Sequence, residues 1–136
     1  MDSKRIGFIS TRLAGTDGVS LETFKWAEVL ERMGHECYFL AGELDTPPAR
    51  SMLVPSCHFN HPGVLEIQEG CFNQDHRMPR ISRKCDDMKG VLKQSIRDFV
   101  DHFHLDMIIP ENAVTIPMNI PLGVAITEYL LEHETA

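Results

Sequence analysis

Two short stretches of this chain carry residue types suited to holding a polar ligand. The first is Ala14-Gly15-Thr16-Asp17-Gly18-Val19-Ser20. Glycine lets a backbone come close to a ligand, and the first amides of a following helix point at whatever sits there. Phosphate or a sugar oxygen suits such a loop. A tight strand-to-helix turn, with Asp17 or Ser20 as N-cap, accounts for the same residues without any ligand. The second stretch is Glu111-Asn112. Asparagine offers both a donor and an acceptor to sugar hydroxyls, and glutamate offers an acceptor. Thr115 and Asn119 extend that surface, and a turn or helix cap is the plainer reading.

Other chemistries fit less well. A dinucleotide fingerprint needs three spaced glycines, and only Gly15 and Gly18 are present. Glu43 or Asp45 follows the second strand, where a ribose-binding acid would stand, but that partial match is weak. Cys57, His58, His61, Cys71, His76 and Cys85 invite a zinc reading. No two of the cysteines form a C-x-x-C pair, so no metal is expected. The simplest state of Cys37, Cys57, Cys71 and Cys85 is reduced thiols. His35 lies at a helix-to-strand turn, and His102 and His104 lie near a helix C-terminus, where a cation is favourable. No serine or cysteine has the histidine context of a nucleophile, so no catalytic residue is assigned.

The elements that must position these stretches alternate along the chain. Arg5 to Ser10 is a short apolar run of the kind that forms a buried parallel strand. Thr11 to Ser20 is the glycine-bearing loop. Leu21 to Met33 is helical, with Phe24, Ala27, Leu30 and Met33 on one face and Gly34 as its stop. Glu36 to Leu40 is the second strand. Together these make one βαβ unit. Ser51 to Val54 is a candidate third strand, limited by Pro55. Pro62 suits a first helical position ahead of Val64, Leu65 and Ile67. Asn73 to Ser82 is read as a polar connection. Met88, Leu92, Ile96, Phe99 and Phe103 then mark a long helix from Arg83 to His104.

Leu105 to Pro110 is another buried strand, Glu111 to Met118 a loop, and Asn119 to Glu132 a final helix with an unusually wide apolar face. The predicted fold is α/β: a partial doubly wound parallel sheet, Rossmann-like, of about four strands with flanking helices. Both candidate stretches leave the C-terminal ends of strands, so they should face one crevice. The wide apolar helix and an unpaired strand edge near Met107 to Ile109 predict a homo-oligomer.

The chain has 136 residues, about one domain, and a formal net charge of -7. That charge argues against nucleic acid and against an anionic membrane surface as main partners. No run reaches the ~20 apolar residues of a transmembrane segment. The N-terminus lacks the apolar region of a signal peptide, so the expected compartment is cytoplasmic.

Residues Arg5 to Thr23, with the continuation Trp26 to Glu36, resemble the opening of glycosyltransferase family-four enzymes (group 1 type). In that family a strand ends in a "G-x-D-G-V-S" type loop, and a helix and a "GHE" turn follow. Asp106-Met-Ile-Ile-Pro-Glu-Asn-Ala and Ile116 to Ala125 are similar to a later strand and helix of the same lobe.

The resemblance implies the N-terminal, acceptor-side lobe of a two-lobed GT-B enzyme, which transfers a sugar from a nucleotide-sugar donor with retention. It implies that Gly15, Thr16, Asp17, Gly18 and Val19 approach the donor diphosphate, and that Glu111 and Asn112 lie near the sugar acceptor. The lobe itself would bind no cofactor; the nucleotide sugar is a co-substrate. The donor-binding C-terminal lobe and its E-x7-E acidic pair have no match in residues 1–136, so the expectation is an incomplete lobe, inactive alone. A stand-alone Rossmann-like module that binds a nucleotide or sugar phosphate is the alternative.

Overall fold

The computed structural model describes residues 3–15, 18–57, 62, 63, 65–67, 79–111 and 120–132. Its elements are β1 (Arg5–Ile9), α1 (Gly18–Arg32), β2 (Glu36–Ala41), β3 (Ser51–Leu53), α2 (Pro79–Phe103), β4 (Met107–Pro110) and α3 (Ile120–Glu132). Single 3₁₀ turns, Pro48–Arg50 and Pro55–Cys57, flank β3. The four strands form one sheet in the order β3-β2-β1-β4, and every pairing is parallel.

The pleat sorts side chains between two helical layers. Ile6 and Phe8 of β1, with Cys37, Phe39 and Ala41 of β2, pack under α1 through Ala27, Phe24 and Leu30. Ile9, Tyr38 and Leu40 face the other way. There they meet Leu92, Ile96, Phe99 and Phe103 of α2 and Leu122, Ala125, Ile126 and Tyr129 of α3. Burying each large apolar side chain contributes about 1.5–3 kcal/mol. Helices on both faces of a parallel sheet are the doubly wound arrangement expected from the alternating pattern.

Gly7 leaves room for Phe99 of α2 and for Leu105 to pack directly on the sheet. A Cβ there would stand 2.5 Å from Leu105 Cδ1 and 2.7 Å from Phe99 Cε2, closer than atoms can approach. At the far end of α1, Gly34 adopts φ +96°. Its N–H donates to the Glu31 carbonyl and the His35 N–H donates to the Leu30 carbonyl, both at 3.0 Å. That pair of bonds is a Schellman cap, which satisfies carbonyls that the helix leaves open.

Several boundaries differ from those read off the sequence. Helix α1 starts at Gly18, not Leu21, so Gly18, Val19 and Ser20 belong to its first turn. Met33 is not on the buried face: it is 48% exposed, just past the last helical residue. Helix α2 starts at Pro79, inside the stretch expected to be a connection, because proline at a helix start gives up no hydrogen bond. Strand β4 starts at Met107, since Leu105 closes the cap of α2 by donating to the Val100 carbonyl. Helix α3 is covered mainly by α2; Val124 and Leu131 remain exposed.

Candidate functional site

From β1 the chain moves outward to β2 and β3, then returns to place β4 on the other side of β1. The switch point therefore lies between β1 and β4, the place where the general rule for parallel α/β sheets expects a ligand beyond the carboxyl ends of the strands. The described residues of the two candidate stretches follow these strands. The loop to Gly15 leaves β1, and Glu111 follows β4 directly.

Backbone pairing continues past the ends of β1 and β2 and stiffens the glycine loop. Leu13 bridges Leu44, the Leu13 N–H donates to the Glu43 carbonyl at 2.9 Å, and the Gly42 N–H donates to the Thr11 carbonyl at 3.0 Å. Ser20 ties the loop to α1: its Oγ accepts from the Ala14 N–H at 3.0 Å and donates to the Arg12 carbonyl at 3.5 Å. It is therefore a brace from the first turn of α1, not the helix N-cap.

Gly15 has φ +73°, a conformation that favours glycine. Its N–H is already engaged, donating to Asp45 Oδ2 at 2.8 Å. The acid that sequence alone offered as a ribose ligand thus holds the loop instead. Beside it, Arg12 pairs with Glu43 at 3.2 Å, and the Arg12 Nη2 would be 2.8 Å from a Cβ on Gly15. Gly18 is different. Its φ is ordinary and a Cβ there would meet nothing within 4 Å, so its missing side chain leaves open space at the start of α1. Val19 is half-buried in the same turn. Thr16, Asp17, Asn112, Thr115 and Asn119 lie outside the described residues.

Glu111 is half-buried and anchored through its main chain. Its N–H donates to the Ile9 carbonyl at 2.8 Å, and its carbonyl accepts from Ser10 Oγ at 2.9 Å. Burial raises its carboxyl pKa above the ordinary glutamate range, and the Glu22 carboxylate adds to the rise. Glu22 stands on the second turn of α1. Sequence reading missed Glu22, Ser10 and Arg12. Nothing in their spacing marks them, although Glu22 does lie one helical turn beyond the glycine loop.

The described thiols, Cys37, Cys57 and Cys85, are buried. Cys37 is buried under α1, and burial, then the Glu31 charge, push its pKa up to about 11, against the pull of Arg50. Cys57 and Cys85 are buried in separate clusters, and burial raises Cys57 further. High pKa values mean inert thiols. His58, His61, Cys71 and His76 lie outside the described residues. Among the described residues no helix is long and apolar enough to cross a membrane.

The fold defines a class: a parallel α/β domain with a Rossmann-like, four-stranded sheet. Comparison with known proteins narrows it. The chain is 27% identical over 128 residues to a mannosylglucosylglycerate synthase of Petrotoga mobilis, covering 94% of this chain and 29% of that protein. It is 24% identical over 130 residues to the protein of the same name from Thermotoga maritima, covering 90% of this chain and 29% of that protein. Both are glycosyltransferases, so the chain has distant similarity to part of such enzymes. It spans less than a third of their length. No protein-family model matches the chain, and no solved structure does.

Proposed function

We propose that this chain is the acceptor-side lobe of a retaining, nucleotide-sugar-dependent glycosyltransferase of the GT-B type, inactive without a donor-binding lobe. The observation that carries the reading is that Gly15 and Gly18 follow β1 and Glu111 follows β4, two neighbouring parallel strands, at the carboxyl edge of the sheet. The order of the glycine loop, the Gly34-His35-Glu36 turn and the Glu111 segment supports it, and so does the similarity to two glycosyltransferases along nearly the whole chain. By analogy with the relatives' product, the acceptor is a glycoside of a hydroxy acid. Glu111 accepts a hydrogen bond from an acceptor hydroxyl, and the open face at Gly18 admits the donor.

The alternative, a stand-alone nucleotide module, rests on the glycine loop. It is weakened for NAD because the Asp45 carboxylate is bound to the Gly15 amide rather than presented to a ribose.

Backbone amide shifts test the reading. Addition of glucosylglycerate, and separately of sugar nucleotides, should move the signals of Gly15, Gly18 and Glu111, while NAD should leave them in place. Tight NAD binding, or acceptor-induced shifts confined to the opposite edge of the sheet, would overturn it.

A further inference from the structure

Two segments of chain meet beyond the ends of β1 and β2, and their register dictates what their side chains touch. The main chains pair as a parallel extension of the sheet: the Leu13 N–H donates to the Glu43 carbonyl at 2.9 Å, and the Asp45 N–H donates to the Leu13 carbonyl at 3.4 Å. Leu13 bridges Leu44, so Arg12 on one segment and Glu43 and Asp45 on the other share the opposite face. There Arg12 Nε meets Glu43 Oε2 at 3.2 Å, and the Gly15 N–H donates to Asp45 Oδ2 at 2.8 Å.

Both groups that these carboxylates occupy are anion binders. Arg12 carries the only positive charge among the described residues between β1 and α1. A guanidinium takes a phosphate in the same fork that takes a carboxylate. Gly15, at φ +73°, turns its amide to an acceptor on another loop rather than to a helix or strand partner. The Arg12 Nη2 would be 2.8 Å from a Cβ on Gly15, so guanidinium and glycine border one small space. Gly15, Glu43 and Asp45 are exposed and Arg12 is half-buried, so both contacts are open to exchange with a solute. Exposed pairs of this kind contribute little to stability and are readily replaced.

We propose that Glu43 and Asp45 are an autoinhibitory pair: the chain's own carboxylates fill an anion site made by Arg12 and the Gly15 amide, and a phosphate-bearing ligand binds there by displacing them. The inference rests on the acceptor-lobe reading above for the ligand, the donor diphosphate, and adds how that site is regulated. The connection from β2 to β3 is the gate. While its two carboxylates stay in place, the guanidinium is neutralised and the glycine amide is occupied. A diphosphate sets two phosphoryl groups against two carboxylates and can take both contacts at once. The main-chain pairing of Leu13 with Glu43 holds the two segments together when the side chains let go.

Inorganic pyrophosphate is the probe, and the amide shift of Gly15 is the readout. The unaltered chain should bind it weakly. Glu43→Gln with Asp45→Asn keeps the shape of both side chains and should tighten binding about tenfold, the order expected when two exposed charged contacts no longer compete. Adding Arg12→Gln to that double variant should abolish the gain. Asp86→Asn with Asp87→Asn removes the same charge from α2, in the opposite helical layer, and should leave the affinity unchanged. Circular dichroism checks that each variant folds. The single change Asp45→Asn should by itself tighten binding about threefold, which keeps the test open if the double variant does not fold.

Equal affinity in the unaltered chain and in the Glu43 and Asp45 variants would overturn the inference. So would a gain matched by the Asp86 and Asp87 control, or one that survives Arg12→Gln. If pyrophosphate leaves Gly15 unmoved in every variant while glucosylglycerate still moves the Glu111 amide, the gate falls and the acceptor-lobe reading stands. If neither ligand moves either amide, both fall.

Discussion

Ser10 and Glu111, the residues that directly follow β1 and β4, are joined by a hydrogen bond from Ser10 Oγ to the Glu111 carbonyl at 2.9 Å. The bond fixes the main chain of Glu111 across the switch point and leaves its carboxylate to the surroundings, which are half-dry and face Glu22. Its pKa is therefore raised, and the sign of the pH effect follows. A carboxyl whose folded-state pKa exceeds its unfolded value contributes stability at low pH, and that contribution is lost as pH rises through the folded pKa. Glu111→Gln should remove this loss and raise the neutral-pH melting temperature. Glu22→Gln should lower the Glu111 pKa toward 4.5. Thermal melting at neutral pH checks the first, and carbon-detected titration of the Glu111 carboxyl in Glu22→Gln checks the second; an unchanged midpoint there would disprove the coupling.

A second, opposite pH effect comes from the seam between α2 and α3. Lys89 and Lys93 both reach Glu128, while Lys93 and Arg97 both reach Glu132. The hydrogen bond from Lys89 lowers the Glu128 pKa first, and that from Lys93 lowers Glu132. Depressed carboxyls stabilise above their unfolded value of 4.5 and lose this as pH falls through the folded values below it. The double change Glu128→Gln with Glu132→Gln should flatten the acid limb of the melting curve. High salt should do the same in the unaltered protein, since both carboxylates are exposed to water.

Gly7 has no room to grow. Gly7→Ala puts a methyl group into Phe99 and Leu105, and overpacking of this kind costs about 1–3 kcal/mol. Urea unfolding should show a lower midpoint with an unchanged slope. Trimming the obstacle should recover part of the loss, so Gly7→Ala with Leu105→Ala should fall less than the sum of the two single changes.

The Gly15–Asp45 bond gives the last prediction. Asp45→Ala deprives the Gly15 amide of its acceptor and should cost about 1 kcal/mol, below the usual range for a bond to a charged group because the site is exposed. Hydrogen exchange at the Gly15 amide should speed up, while exchange in β1 and β2 stays slow. A loop that keeps its protection after the change would mean that the Leu13–Leu44 bridge alone maintains it.

The repeating order of elements was legible because it rests on local periodicity. Arg5–Ile9 and Glu36–Ala41 are short apolar runs, and Leu92, Ile96, Phe99 and Phe103 recur at helical spacing. The positions of Gly15 and Glu111 after strands were legible for the same reason. The Glu22–Glu111 approach was not. It joins residues far apart in sequence, and only the crossover that lays β4 beside β1 brings them together. Nor could the chain reveal that Asp45 is spent on the Gly15 amide, because side-chain hydrogen bonds depend on how two loops meet.

The amino-acid order alone determined that this protein is a parallel α/β domain and that Gly15 and Glu111 follow its strands. Those features follow from backbone sterics and from burial repeating along a helix or strand. The tertiary structure decided which face of α1 is buried. Ser20, Thr23 and Ala27 lie against the sheet, while Trp26 and Met33, apolar though they are, stand in water. Hydrophobicity ranks residues for burial, but a helix has one side toward the sheet, and the direction of that side is set by where the strands lie.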